Sequence, residues 1–285
     1  MTAPYEFVTK NVFPTYSNAF QMVFSGNGSY IYIPDTDQEF IRQFALASPW
    51  SLASISNYRV SPSLWEVNGN PTGLCFKPDG TKVFVVNNAY DYIKQFTLST
   101  PWDISTIVEA GQFTLPAPFP NSYGVAFNDD GTSMFISHSS GGTYTNGRIV
   151  QHQLSVPWDV TSANAGVTWS VPNGGVYQPT EIIFNSDGTQ LYVFSLYNGN
   201  IYIYGLSAAW DITTAVLVAD DWNNTDYPGL IDSQVYAHFI LPEDGKLFIY
   251  GYDNALSKCY VALFQGTLPP EPIWWTNFRG QSEIA

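Results

Sequence analysis

Apolar residues along this chain fall in short runs, each preceded by a turn, and the pattern recurs. The run Val83-Phe84-Val85-Val86 follows Pro78-Asp79-Gly80, and Met134-Phe135-Ile136 follows Asp129-Asp130-Gly131. Leu191-Tyr192-Val193-Phe194 follows Ser186-Asp187-Gly188, and Leu247-Phe248-Ile249-Tyr250 follows Glu243-Asp244-Gly245. A weaker first copy is Gly26-Asn27-Gly28 before Tyr30-Ile31-Tyr32-Ile33. Asp-Gly between two apolar segments is a strong hairpin signal. A run apolar at every position predicts a strand covered on both faces. Each copy is preceded by a strand of the Gly73-Leu74-Cys75-Phe76 type and followed by one of the Tyr92–Leu98 type.

The second half of the unit recurs as well. Ser48-Pro49-Trp50-Ser51 is echoed by Thr100-Pro101-Trp102-Asp103, Val156-Pro157-Trp158-Asp159 and Ala209-Trp210-Asp211. A less regular fourth strand comes next, for example Val108 to Leu115. The turn glycines at 28, 80, 131, 188 and 245 lie 52, 51, 57 and 57 residues apart. Units of this length with four strands each, buried on both faces, suit blades around an axis. The last unit has no fourth strand of its own. Phe7-Val8-Thr9 with Phe13-Pro14 echoes Phe113-Thr114-Leu115 with Phe119-Pro120, so the N-terminal strand is expected to complete it. The predicted fold is all-β: a five-bladed β-propeller of four-stranded antiparallel blades, closed by that pairing, which leaves no open blade edge. The blades are placed at about 19–68, 69–120, 121–178, 179–234 and 235–267 plus 5–13, one domain over 1–267. In the Pro-Trp-Asp turn, Pro fixes the backbone, Trp fills the space between blades and Asp accepts turn N–H groups.

Composition narrows the function classes. Of 285 residues only 12 % are charged and 16 % are aromatic, which favours strands over long helices. The formal charge of −14 would repel nucleic acid and anionic lipid. Cys75 and Cys259 are too few for a disulfide framework. No apolar stretch approaches the ~20 residues that cross a bilayer, and the first residues lack a secretory pattern.

The repeat Phe76-Lys77-Pro78-Asp79-Gly80-Thr81-Lys82, with Leu98-Ser99-Thr100-Pro101-Trp102-Asp103-Ile104-Ser105-Thr106, resembles the propeller repeats of bacteriophage tail-associated and other virion proteins, and of some bacterial surface proteins. The resemblance covers residues 5 to about 266. It implies a virion protein, tail- or capsid-associated, with bacterial cell surface as the alternative location. It does not by itself imply a chemistry.

Chemistry-bearing residues concentrate at two places. Heads of the innermost strands should face the axis: Gln21, Gly73, Gly124, Glu181 and His238. Of these, Gln21, Glu181 and His238 form a polar cluster, too sparse for a closed metal site. Asp35, Asp37 and Glu39 read as a solvated acidic loop, and Cys75 as a small core residue. No hydrolase, metalloprotease or phosphate-binding motif is present. The expectation is therefore no catalytic residue, no metal and no cofactor. On the face opposite the repeated turns, variable loops carry Tyr90, Asp91, Tyr144, Tyr177, Tyr197, Asn198, Trp222, Tyr227 and Tyr252, flat rings beside polar groups that suit sugars or protein contacts. The tail 268–285 is proline-rich and carries Trp274, Trp275 and Phe278, expected to dock on other virion proteins.

The function expected from the sequence is thus a non-enzymatic virion structural or binding protein whose loop face recognises a host glycan or protein. Two alternatives stand beside it. One is a metal-assisted hydrolase or lyase working at the axis through Glu181 and His238. The other is a purely structural spacer or decoration module.

Overall fold

A computed structural model describes residues 5–12, 20–36, 38–53, 55–64, 69–116, 121–139, 147–172, 178–196, 200–222, 233–241, 246–253 and 258–266. They form four-stranded antiparallel sheets in sequence order. Blade one is β2 (Val23–Phe24), β3 (Tyr30–Asp35), β4 (Phe40–Leu46) and β5 (Ile55–Val60). Blade two is β6 (Pro71–Phe76), β7 (Lys82–Asn87), β8 (Tyr92–Leu98) and β9 (Ile107–Thr114). Blade three is β10 (Ser122–Phe127), β11 (Ser133–His138), β12 (Arg148–Gln153) and β13 (Val167–Ser170). Blade four is β14 (Pro179–Phe184), β15 (Gln190–Ser195), β16 (Asn200–Leu206) and β17 (Ala215–Trp222). A further sheet joins β18 (Ser233–Leu241), β19 (Lys246–Asp253) and β20 (Lys258–Gly266) to β1 (Tyr5–Val12), which pairs antiparallel with β20.

The repeated residues explain themselves sterically. Trp50, Trp102, Trp158 and Trp210 all have left-handed backbones, φ between 59° and 67°. A left-handed bulky residue is strained by roughly 1–2 kcal/mol. The strain is offset by where the ring goes. Each indole lies flat on the turn glycine of its own unit, so that a Cβ at Gly28, Gly80, Gly131 or Gly188 would overlap the ring. Trp102 N–H donates to the Gly80 carbonyl at 3.0 Å, and the other three tryptophans repeat this bond.

The same rings weld blades together. Trp102 packs on Phe76 of its own blade (5.1 Å), and Phe76 packs on Tyr32 of blade one (4.5 Å). Trp158, Phe127 and Phe84 repeat this between blades two and three, as do Trp210, Phe184 and Phe135 between three and four. Three buried clusters mark these interfaces. Asp103, Asp159 and Asp211 each cap a short 3-10 turn by accepting a backbone N–H two residues on. Ser51 accepts the corresponding bond from Ala53 at 3.3 Å.

The predicted five-bladed ring is corrected here. A blade of this propeller is a four-stranded sheet that carries the Trp-bearing turn and shares a core with its neighbour. Among the described residues four sheets do so. The sheet made from the two chain ends has no Trp turn in its sequence, and apart from Ala262 its side chains lie outside the described residues. It sits beside blade four, β18 against β14. The propeller is thus all-β with four blades of four antiparallel strands.

Candidate active site

The heads of the innermost strands of neighbouring blades lie in close contact. A Cβ on Gly124 would lie 2.7 Å from the Thr180 carbonyl oxygen, and one on Gly73 would strike that of Tyr123. Glycine at these two positions lets neighbouring strands touch backbone to backbone. Gln21 is sealed in this hub: its Oε1 accepts from Leu74 N–H at 2.9 Å, bridging blades one and two. Glu181 is 1 % exposed and its backbone lies against Gly124. The sequence had placed both at an open channel mouth. The side chain of His238 lies outside the described residues, so its approach to Glu181 is not described either.

Three innermost strands carry a bulge at the same place, between Pro71 and Gly73, Ser122 and Val125, and Pro179 and Glu181. A bulge shifts register and re-aims side chains. In blade three the consequence is chemical. The hairpin register of Val125 with Ile136 and Phe127 with Met134, continued outward, would set His138 against Tyr123. The bulge sets it against Ser122, and Ser122 Oγ lies 3.0 Å from His138 Nδ1. Both side chains are fully buried. Simple hairpin counting misses this pair by one residue.

The pair is held from several sides. The Ser122 carbonyl accepts from Thr72 Oγ1 and from Asn88 Nδ2, both at 2.9 Å and both on blade two. Ser137 Oγ accepts from Gly124 N–H at 2.8 Å. Gln178 Nε2 donates to the Tyr123 hydroxyl at 3.1 Å, and Phe20 meets the Tyr123 ring edge-on. With the imidazole proton on Nε2, the Ser122 hydroxyl donates to Nδ1. That is the arrangement in which an imidazole accepts a hydroxyl proton while the oxygen attacks an electrophile.

The other sequence candidates separate. Tyr90 and Asp91 lie on the β7–β8 loop, with Tyr90 exposed and Asp91 at φ 50°. Trp222 and Tyr252 lie in strands β17 and β19, not on loops, opposite Ile201 and Gln234. Tyr144, Tyr177, Tyr197, Asn198, Tyr227 and the tail residues Trp274, Trp275 and Phe278 lie outside the described residues. Asp35 is not a solvated loop carboxylate. It is fully buried, ion-paired to Arg42, and accepts from Gln38 N–H at 3.1 Å. Burial pushes the Cys75 thiol up to about 12, which keeps it protonated. Among the described residues no group of three or more His, Cys, Asp or Glu could hold a metal.

No known protein-family profile matches the chain, and no curated protein does. Solved structures do. A chain of the nidogen/laminin complex aligns at 12 % identity and TM-score 0.51, over 84 % of this chain and 77 % of that one. A provisionally assigned 6-phosphogluconolactonase of Bacteroides uniformis aligns at 17 % identity and TM-score 0.44, over 72 % and 53 %. A periplasmic gluconolactonase of Pseudomonas aeruginosa aligns at 15 % and 0.44, over 71 % and 52 %. The chain thus spans about half the length of these lactonases. At such identities the likeness shows the β-propeller fold. None of the three is a virion protein and two are described as lactonases; the expectation of a non-enzymatic virion protein is corrected, because nothing in these comparisons supports it.

Proposed function

We propose that this chain is a hydrolase-type propeller whose chemistry is carried by Ser122 and His138 at the hub of blade three. The observation behind it is the 3.0 Å contact between Ser122 Oγ and His138 Nδ1, created by a bulge and fixed by blade-two donors to the Ser122 carbonyl. In this reading Ser122 attacks an acyl carbon. His138 takes the hydroxyl proton and returns it to the leaving oxygen, and water then releases the acyl group by the same route reversed. Both groups are buried, so this reading requires the hub to open locally to admit substrate. A metal-assisted version has less support, because the described residues offer no cluster of ligands.

The test is hydrolysis of a panel of nitrophenyl esters and lactones by the purified full chain, beside Ser122→Ala and His138→Gln. Each substitution should lower turnover by roughly a thousandfold or more while the chain still folds cooperatively, as its melting profile checks. Absence of turnover above buffer, or turnover that survives both substitutions, would remove the proposal.

A further inference from the structure

The β7–β8 loop, on the face where Ser122 is held, presents an aromatic surface. Tyr90 is 52 % exposed, and its ring lies within 10° of parallel to that of Tyr92, 6.3 Å away. The loop beneath is rigid. Asn87 Oδ1 accepts from Ala89 N–H at 2.9 Å and Tyr90 N–H at 3.2 Å, and Leu115 N–H holds the Asp91 carbonyl at 2.8 Å. Asp91 is fixed in the left-handed region, φ 50°. One polar atom of this loop, the acceptor Asp91 Oδ1, is buried without a hydrogen-bond partner, while the Asn87 amide faces the Tyr92 hydroxyl. Buried unpaired polar atoms are costly and call for an explanation.

The surroundings select the ligand. Glu39 and Glu109 stand near enough to Tyr92 to act on its hydroxyl, whose ionisation is pushed upward first by burial, against an opposing interaction with the Asn87 side chain, and further by these carboxylates. The cation beside them is engaged: Lys94 Nζ binds Glu109 and the Leu64 carbonyl. An anionic ligand would meet carboxylates without a free counter-charge. A neutral sugar ring fits, since its C–H face stacks on aromatic rings and its hydroxyls both donate and accept.

We propose that Tyr90 and Tyr92 form a stacking platform for a neutral sugar ring, with the Asp91 carboxylate contacting its hydroxyls. A small rotation of the Asp91 side chain brings its unpaired Oδ1 to the ligand, while Asn87 keeps the bonds that hold the loop. The site goes beyond the hydrolytic reading and stands whether or not Ser122 is a nucleophile.

The experiment is calorimetric titration of the full chain with neutral mono- and oligosaccharides, repeated with Ser122→Ala so that binding is read apart from turnover. At least one neutral saccharide should bind. Tyr90→Ala should weaken it about tenfold or more, about 1.4 kcal/mol. Tyr90→Trp should retain binding, and Asp91→Asn should weaken it. Because Tyr90 is exposed, its variants should melt like the parent. Three results would overturn the proposal: no neutral saccharide binding, binding indifferent to Tyr90→Ala, or capture of choline in place of sugars, which would make the pair part of a cation cage.

Discussion

His152 is fully buried between blades two and three, its ring edge-on to Phe113 at 5.1 Å. Nδ1 lies 2.9 Å from the Asn164 carbonyl, so the proton of the neutral ring sits on Nδ1, and Nε2 is buried without a partner. Burial lowers its pKa below the ordinary 6.5, against a smaller opposing effect of the Asn164 bond. Between 6.5 and that lower folded value the unfolded chain binds more protons than the folded one, so stability falls as pH drops through this window. Blades one and two carry Phe44 and Phe96 at the equivalent position. His152→Phe should therefore flatten the loss of stability between about pH 7 and 5, read from urea unfolding at several pH values. The aspartates act in a separate, lower window. Asp159, lowered chiefly by the Thr161 hydroxyl, and Asp130, lowered chiefly by Thr132, lose their contribution only as pH falls below the ordinary 3.8. A slope between pH 7 and 5 that is unchanged in His152→Phe would show the acid sensitivity to lie elsewhere.

At the scale of elements, the third strand of blades one, two and three reaches into the Trp turn of the next blade. Gln95 accepts from Val160 N–H and donates to Asp159, both at 3.0 Å. Gln43 joins Ile104 N–H to the Trp102 carbonyl, and Gln151 joins Ile212 N–H to that of Trp210. Blade four has Ile203 at this position, and the sheet after it has no Trp turn to hold. Gln95→Ala should strand the buried Val160 N–H and cost on the order of 2 kcal/mol. Thr97→Ala, an exposed change on the same strand, should cost a few tenths at most. Equal unfolding midpoints for the two would mean that water replaces the amide. These latches also show what the sequence could carry. The Asp caps were legible because each is settled within one unit by a two-residue hydrogen bond, whereas the stacking of Trp on the turn glycine, about 22 residues away, was not. The glutamines were not, because their partners lie about 60 residues away on another blade. Ser122 with His138 was lost to a single bulge, and the blade count was overread because the Asp-Gly turn recurs at Gly245 where the Trp turn does not.

For the whole molecule the pairing of β1 with β20 has the longest reach, from Tyr5 opposite Gly266 to Val12 opposite Tyr260. Contacts this far apart in sequence carry the largest loop-closure cost until the intervening blades are in place, so this pairing is expected to form late in folding. Its removal would leave β20, Lys258–Gly266, as an edge strand with Tyr260-Val261-Ala262-Leu263-Phe264 at its centre. A long apolar edge invites pairing with other chains. Deleting residues 1–12 should therefore lower the melting temperature and produce concentration-dependent self-association by light scattering. A peptide spanning residues 4–13, added in excess, should suppress both effects by refilling the edge. The register makes the rescue specific, because the irregularity between Phe7 and Thr9 must be matched. A reversed-sequence peptide of the same composition should not rescue. If the shortened chain stays monomeric and melts unchanged, the terminal sheet is not holding the ends of the propeller together, and its stability rests on the four blades alone.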